Sequence, residues 1–134
     1  MKSQDELNCY IRDQRSEENL AGLPLRDIRV IDLATVLAAP FAATLMGDFG
    51  AEVIKVENPE VPEAIRGWGV LEGGIQPFWA VFGRNKFPVT INLKSPDGKG
   101  ILLKLIERSD VLIENMRPGT MEKLGFDMEK LLEL

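Results

Sequence analysis

The hydrophobic pattern is densest across residues 28–57, IRVIDLATVLAAPFAATLMGDFGAEVIKVE. Its first apolar run, residues 28–33, is nearly continuous rather than alternating, the pattern of a strand covered on both faces. A turn of small and apolar residues follows at 34–39. Pro40 is expected to open a helix, because its missing N–H costs nothing in the first turn. Phe41, Thr44, Leu45 and Asp48 carry helical spacing. The helix should run to about Phe49 and close at Gly50, which takes the left-handed conformation without strain. Residues 53–56 form a second apolar run, ended by Glu57. This is one β-α-β unit in about 30 residues. Parallel sheets of this kind place ligand sites at the carboxyl ends of their strands.

The rest of the pattern extends that unit. Residues 1–22 are polar and charge-rich, and form an extension in which residues 3–14 could make a short helix. Residues 58–74 are a long connection rich in Pro, Gly and Trp, and connections of this length are often functional. Residues 77–82 suit a short helix anchored by Phe78, Trp79 and Phe82. Gly83-Arg84-Asn85-Lys86 follows, and the alternation of Val89, Ile91 and Leu93 predicts a third strand. Ser95-Pro96-Asp97 is a helix start, with serine as N-cap. That helix should stop near Ser109, and residues 110–114 should make strand four. A turn at 115–119, a short helix over 120–124 ended by Gly125, and a last helix capped by Asp127 complete the order. The expected architecture is α/β, a parallel sheet covered by helices. Residues 23–134 read as one domain. The chain ends within an amphipathic helix that carries no stop signal, which is the ending expected of a truncation.

Composition narrows the function. The chain has 134 residues and a formal net charge of -5, which argues against a nucleic-acid partner held by overall charge. There is no histidine, so histidine triads, bases and metal ligands are excluded. Cys9 is the single cysteine. No intrachain disulfide or cysteine-rich zinc site can form, and a reducing compartment fits. No apolar stretch approaches the roughly 20 residues that span a bilayer. A cytoplasmic protein without a membrane partner is expected.

Glu57 stands where a dinucleotide site would place its ribose carboxylate, but the turn at 34–39 has no glycine. The glycine fingerprint of such sites is therefore absent, and Glu57 reads as a solvated strand-end carboxylate. Arg84, Lys86, Arg117 and Lys123 form a basic set near strand ends, which suits phosphate capture or a solvated surface. Trp68 and Trp79 could pack in the core or stack on a planar group such as adenine. Asp32 lies within strand one with no evident partner. No catalytic group emerges from the residues themselves.

Residues 25–59 together with GRNKFPVTINLKSPDGKGILLKLIERSDVLIENMRPGTMEKLGF resemble the start of the family III CoA-transferases, the CaiB/BaiF type. The most specific blocks are Asn92-Leu93-Lys94-Ser95-Pro96-Asp97-Gly98 and residues 114–119, ENMRPG. The resemblance implies a Rossmann-like large domain, present here as its incomplete N-terminal part. It also implies an interlocked homodimer of the full-length protein, and coenzyme A or acyl-CoA as a substrate rather than a covalently held cofactor. Carried over by position, Val36 and Leu37 line the CoA site, Asn115 and Met116 touch the CoA chain, and Lys86 and Lys123 lie by its phosphates. Arg84, Asn85, Arg117 and Asn58 complete the CoA-binding set. Asn58 departs from the arginine of formyl-CoA transferase, and Leu37 from its glutamine.

The family's activity is CoA transfer to a carboxylic acid through an aspartyl nucleophile. No aspartate here matches that residue, so the chain contributes no catalytic residue and should be inactive alone. Acyl-CoA racemases share the scaffold and are the alternative within it. A non-catalytic CoA-binding or interaction module is the alternative outside it.

Overall fold

The computed structural model describes residues 20–71, 73–74 and 76–133. The short helix considered for residues 3–14 lies outside them. Four strands make one parallel sheet: β1 (Arg29–Asp32), β2 (Glu52–Glu57), β3 (Lys86–Thr90) and β4 (Val111–Ile113), in the order β3-β2-β1-β4. The helices are α1 (Ala38–Asp48), α2 (Pro77–Phe82), α3 (Pro96–Ile106), α4 (Thr120–Leu124) and α5 (Met128–Leu131).

β1 and β2 form where the apolar runs placed them. Successive side chains of a strand point to opposite faces, and both faces of β1 are covered. Ile31 joins Leu33, Val56, Ile91, Leu102, Ile106, Met121 and Phe126 in one core layer. Val30 joins Ala43, Ala51 and Val53 in the other. Val30 and Ile31 have no exposed surface, and burying each side chain contributes about 1.5–3 kcal/mol. The predicted parallel α/β sheet is therefore the observed one.

The punctuation residues act as expected. Pro40 lies in the first turn of α1. Ser95 caps α3 by accepting from the Gly98 N–H at 3.0 Å, and Asp127 caps α5 by accepting from Glu129 and Lys130. Gly98 is needed for a second reason. A Cβ there would stand 2.0 Å from the Asn92 carbonyl oxygen, so only glycine lets α3 pack against the 92–94 turn.

Strand three differs from the expected 89–93. It spans Lys86–Thr90 and pairs with β2 from Val53↔Lys86 to Glu57↔Thr90. The alternation continues past the paired stretch into residues 91–93, where Ile91 and Leu93 still pack on the core. Pro88 is tolerated because β3 is an edge strand, where a missing donor need not break a ladder. The 58–74 connection contains a 3-10 turn, Ala64–Gly67.

Candidate functional site

The order β3-β2-β1-β4 reverses between β1 and β4. The crevice beyond the carboxyl ends of two such strands is the usual ligand position. A cavity of about 450 Å³ opens at that end of the sheet, within the range of small-molecule sites. Leu33, Thr35 and Val36 line it after β1, residues 55–58 from β2, residues 91–94 after β3, and Met116, Thr120 and Leu124 after β4.

Two loops meet over this crevice. The Thr35 N–H donates to Asn115 Oδ1 at 2.8 Å, and Asn115 Nδ2 donates to the Thr35 carbonyl at 2.9 Å. Asn115 thus ties the turn after β1 to the turn after β4. Val36 carries φ 70°. A β-branched residue in that region is strained, at a cost on the order of 1–3 kcal/mol. Its N–H donates to Glu63 Oε1 at 3.0 Å.

Beneath the cavity lies a buried ionic group. Asp32 is fully buried and accepts from Lys86 Nζ at 2.8 Å and from the Ala34 N–H at 3.0 Å. Lys55 Nζ is 3.5 Å from Asp32, 3.3 Å from Glu63 Oε2, and donates to the Ala34 carbonyl. Lys86 also donates to the Pro40 carbonyl at 2.6 Å. Two cations and two carboxylates balance. Burial pulls the Lys86 ammonium below the ordinary lysine range, while Asp32 works against that pull.

Glu57 is not the solvated carboxylate expected. It accepts from Arg66 Nε at 3.0 Å, from a second Arg66 nitrogen, and from the Glu63 N–H at 3.1 Å. Burial raises its pKa, but the Arg66 bond and the Glu63 N–H outweigh this and leave it below the ordinary 4.5. The tryptophans also differ from the core expectation. Trp68 is 38% exposed and packs edge-on against Phe78 at 5.9 Å. Trp79 carries the Arg66 guanidinium 3.5 Å from its ring centroid, a cation–π contact. Neither is a core anchor.

The structure gathers only part of the predicted set at the cavity. Val36, Asn58 and Met116 line it. Leu37 follows Val36 and is 36% exposed. Asn115 makes the loop clamp. Arg117 follows Met116, and Lys123 sits on α4 between the lining residues Thr120 and Leu124; both are exposed. Among the described residues, neither makes an ion pair or a side-chain hydrogen bond.

The 84–86 block sits elsewhere. Arg84 and Asn85 precede β3, at the amino end of the sheet. Arg84 Nε donates to Asp48 at 3.0 Å and Asn85 Nδ2 at 2.7 Å. The Asp48 bond holds the Arg84 guanidinium above its ordinary pKa. Lys86 is enclosed, with 1% of its side chain exposed, and Asp32, which had no evident partner, is its partner.

Sequence reasoning missed Lys55, Glu63 and Lys94. Lys55 had a signal: a lysine inside the apolar run of β2 needs a buried counter-charge. Lys94 lines the cavity, and among the described residues its ammonium pairs only with exposed Glu60, at 3.5 Å. It directly follows the alternation of Val89, Ile91 and Leu93, which sets it at the carboxyl end of the sheet.

Known proteins resemble the chain throughout this region. The profile of CoA-transferase family III matches residues 25–134. The chain is 50% identical over 113 residues to the succinyl-CoA–L-malate CoA-transferase beta subunit of Chloroflexus aurantiacus, covering 84% of this chain and 28% of that protein. It is 38% identical over 112 residues to the succinyl-CoA:glutarate CoA-transferase of Homo sapiens, covering 83% of this chain and 26% of that protein. A CAIB/BAIF family protein from Brucella suis superposes with a TM-score of 0.74 at 33% identity, over 82% of this chain and 30% of that one. Rv3272 from Mycobacterium tuberculosis gives 0.74 at 38% identity, over 84% and 31%. The chain therefore spans less than a third of the length of these relatives. With its parallel sheet, its cavity at the strand carboxyl ends and this profile match, the chain belongs to CoA-transferase family III.

Proposed function

We propose that the cavity is part of the acyl-CoA site of a CoA-transferase, which moves CoA from an acyl-CoA to a carboxylic acid. The observation that carries this reading is a largely apolar cavity at the strand-order reversal with the exposed Lys94 in its lining. An apolar cavity accepts the pantetheine arm. In this reading Lys94 and Lys123 take phosphates as point charges, and Arg117 by bidentate contact. Val36, Asn58 and Met116 line the wall, and Leu37 and Asn115 belong to the two loops that carry it. Arg84 and Asn85 hold Asp48 at the opposite end of the sheet, and in this reading they support the fold.

The nucleophile is proposed to come from outside this stretch. The lining carboxylates, Glu57 and Glu63, are both engaged, one by Arg66 and the other by Val36 and Lys55. Neither is free to attack a thioester. An aspartate supplied by a longer protein, most simply an interlocked homodimer, would complete the reaction. The named relatives suggest succinyl-CoA as donor and a dicarboxylate as acceptor.

Incubating the native protein with succinyl-CoA and L-malate in D2O should yield a new CoA thioester with no deuterium at its α-carbon, read by mass spectrometry. Deuterium uptake at the α-carbon of a branched acyl-CoA, without transfer, would favour a racemase instead. CoA binding with neither reaction would favour a binding module. Among the described residues, no helix is long and apolar enough to cross a membrane.

A further inference from the structure

The first turn of the cavity wall is strained, and strain persists only where the surroundings over-determine it. Val36 is held at φ 70° between two anchors. Asn115 fixes Thr35 on one side by the paired bonds described above. On the other side the Val36 N–H donates to Glu63 Oε1 at 3.0 Å.

Glu63 is itself constrained. Its side chain is 1% exposed, and its backbone N–H is held by Glu57, which Arg66 locks in turn. Its second oxygen, Oε2, is buried without an aligned hydrogen bond and lies 3.3 Å from Lys55 Nζ. Lys55 also donates to the carbonyl of Ala34, two residues before Val36. A residue kept only to neutralise Lys55 would direct its oxygens at the ammonium. Glu63 faces the ammonium with Oε2 only, and with Oε1 accepts its well-aligned bond from the strained amide.

We propose that Glu63 is a positioning residue: through the Val36 N–H it sets the backbone of the cavity wall against which acyl-CoA packs. The part concerning acyl-CoA rests on the function proposed above. The part concerning Val36 does not. A side chain from the 58–74 connection thus shapes a turn 27 residues earlier in the chain.

Two measurements test this on the full native protein. The first needs no variant. With 15N-valine labelling, the Val36 amide should exchange at least about tenfold more slowly than that of Val70, which is 79% exposed. Exchange as fast as Val70 overturns the proposal. The second compares K55M/E63Q with K55M/E63L. Both remove the Lys55–Glu63 charge pair and leave Asp32 with Lys86, so both lose the ionic contribution equally. Only glutamine keeps an acceptor for Val36. CoA should bind K55M/E63Q about tenfold more tightly than K55M/E63L, the worth of one hydrogen bond. Equal affinities overturn the proposal. If neither variant folds, the wild-type exchange rate decides. A protected Val36 amide in a protein that binds no CoA would sink the proposed function and leave the positioning role standing.

Discussion

Asp32→Ala lowers stability by about 3–5 kcal/mol, because it strips the partner from a buried lysine. Asp32 has no exposed surface, and it accepts from Lys86 and from the Ala34 N–H while facing Lys55. Without it, two buried ammonium groups share one carboxylate. Native domains hold only about 5–15 kcal/mol in total, so the loss is a large fraction of the whole. Lys86 is already penalised by burial, and it would respond by shedding its proton or dragging water inward. The double variant Asp32→Ala with Lys86→Met restores the balance between Lys55 and Glu63. It should therefore lose much less than the two single changes together. Urea unfolding of the four proteins measures the coupling directly. Additive losses would show that the ions do not act as a unit.

The second large effect concerns binding. Replacing Lys94, Arg117 and Lys123 together by alanine should weaken CoA binding on the order of a hundredfold at low salt. Charge-assisted bonds to phosphate contribute about 1.5–3 kcal/mol each when well formed, and exposure and screening reduce that. All three side chains are exposed, so stability should hardly change. Pantetheine, which lacks the nucleotide phosphates, should bind the variant as it binds the parent. A calorimetric titration with both ligands separates the cases. Equal weakening for pantetheine would mean that the cavity had deformed, and no weakening for CoA would mean that the cations face away from its phosphates.

Much of the fold was legible because the chain is well punctuated. Pro40, Gly50, Ser95, Gly125 and Asp127 each mark a boundary through local backbone chemistry, and the structure uses each near its expected place. The helix at 120–124 matches to the residue. Strand three was less legible, because apolar alternation reports which face a residue occupies, not whether it has a hydrogen-bonded neighbour. The pairing within the ion group was illegible for a different reason, although a lysine inside an apolar strand, such as Lys55, calls for a buried counter-charge. Lys86 reaches Asp32 across 54 positions, and Lys55 lies 21 from Ala34; no local pattern records such pairs. Arg84 and Asn85 stand at the other end of the sheet from the cavity, bonded to Asp48. In a parallel sheet, residues that precede a strand and residues that follow one lie at opposite ends. The block before β3 could not share a site with residues 115–117 after β4 through backbone placement alone. Only a long side chain such as that of Lys86 could cross, and it stops at Asp32. Lys94, which follows the third strand, was the cation that the same rule points to.

The central claim is that CoA occupies the cavity at the carboxyl ends of the strands. Hydrogen exchange with mass spectrometry on the native protein, with and without CoA, tests it most directly. The claim predicts that CoA slows exchange in peptides covering residues 33–37, 58–64 and 115–124, and leaves the 83–86 peptide unchanged. Protection concentrated at residues 83–86, with none at 33–37, would contradict it.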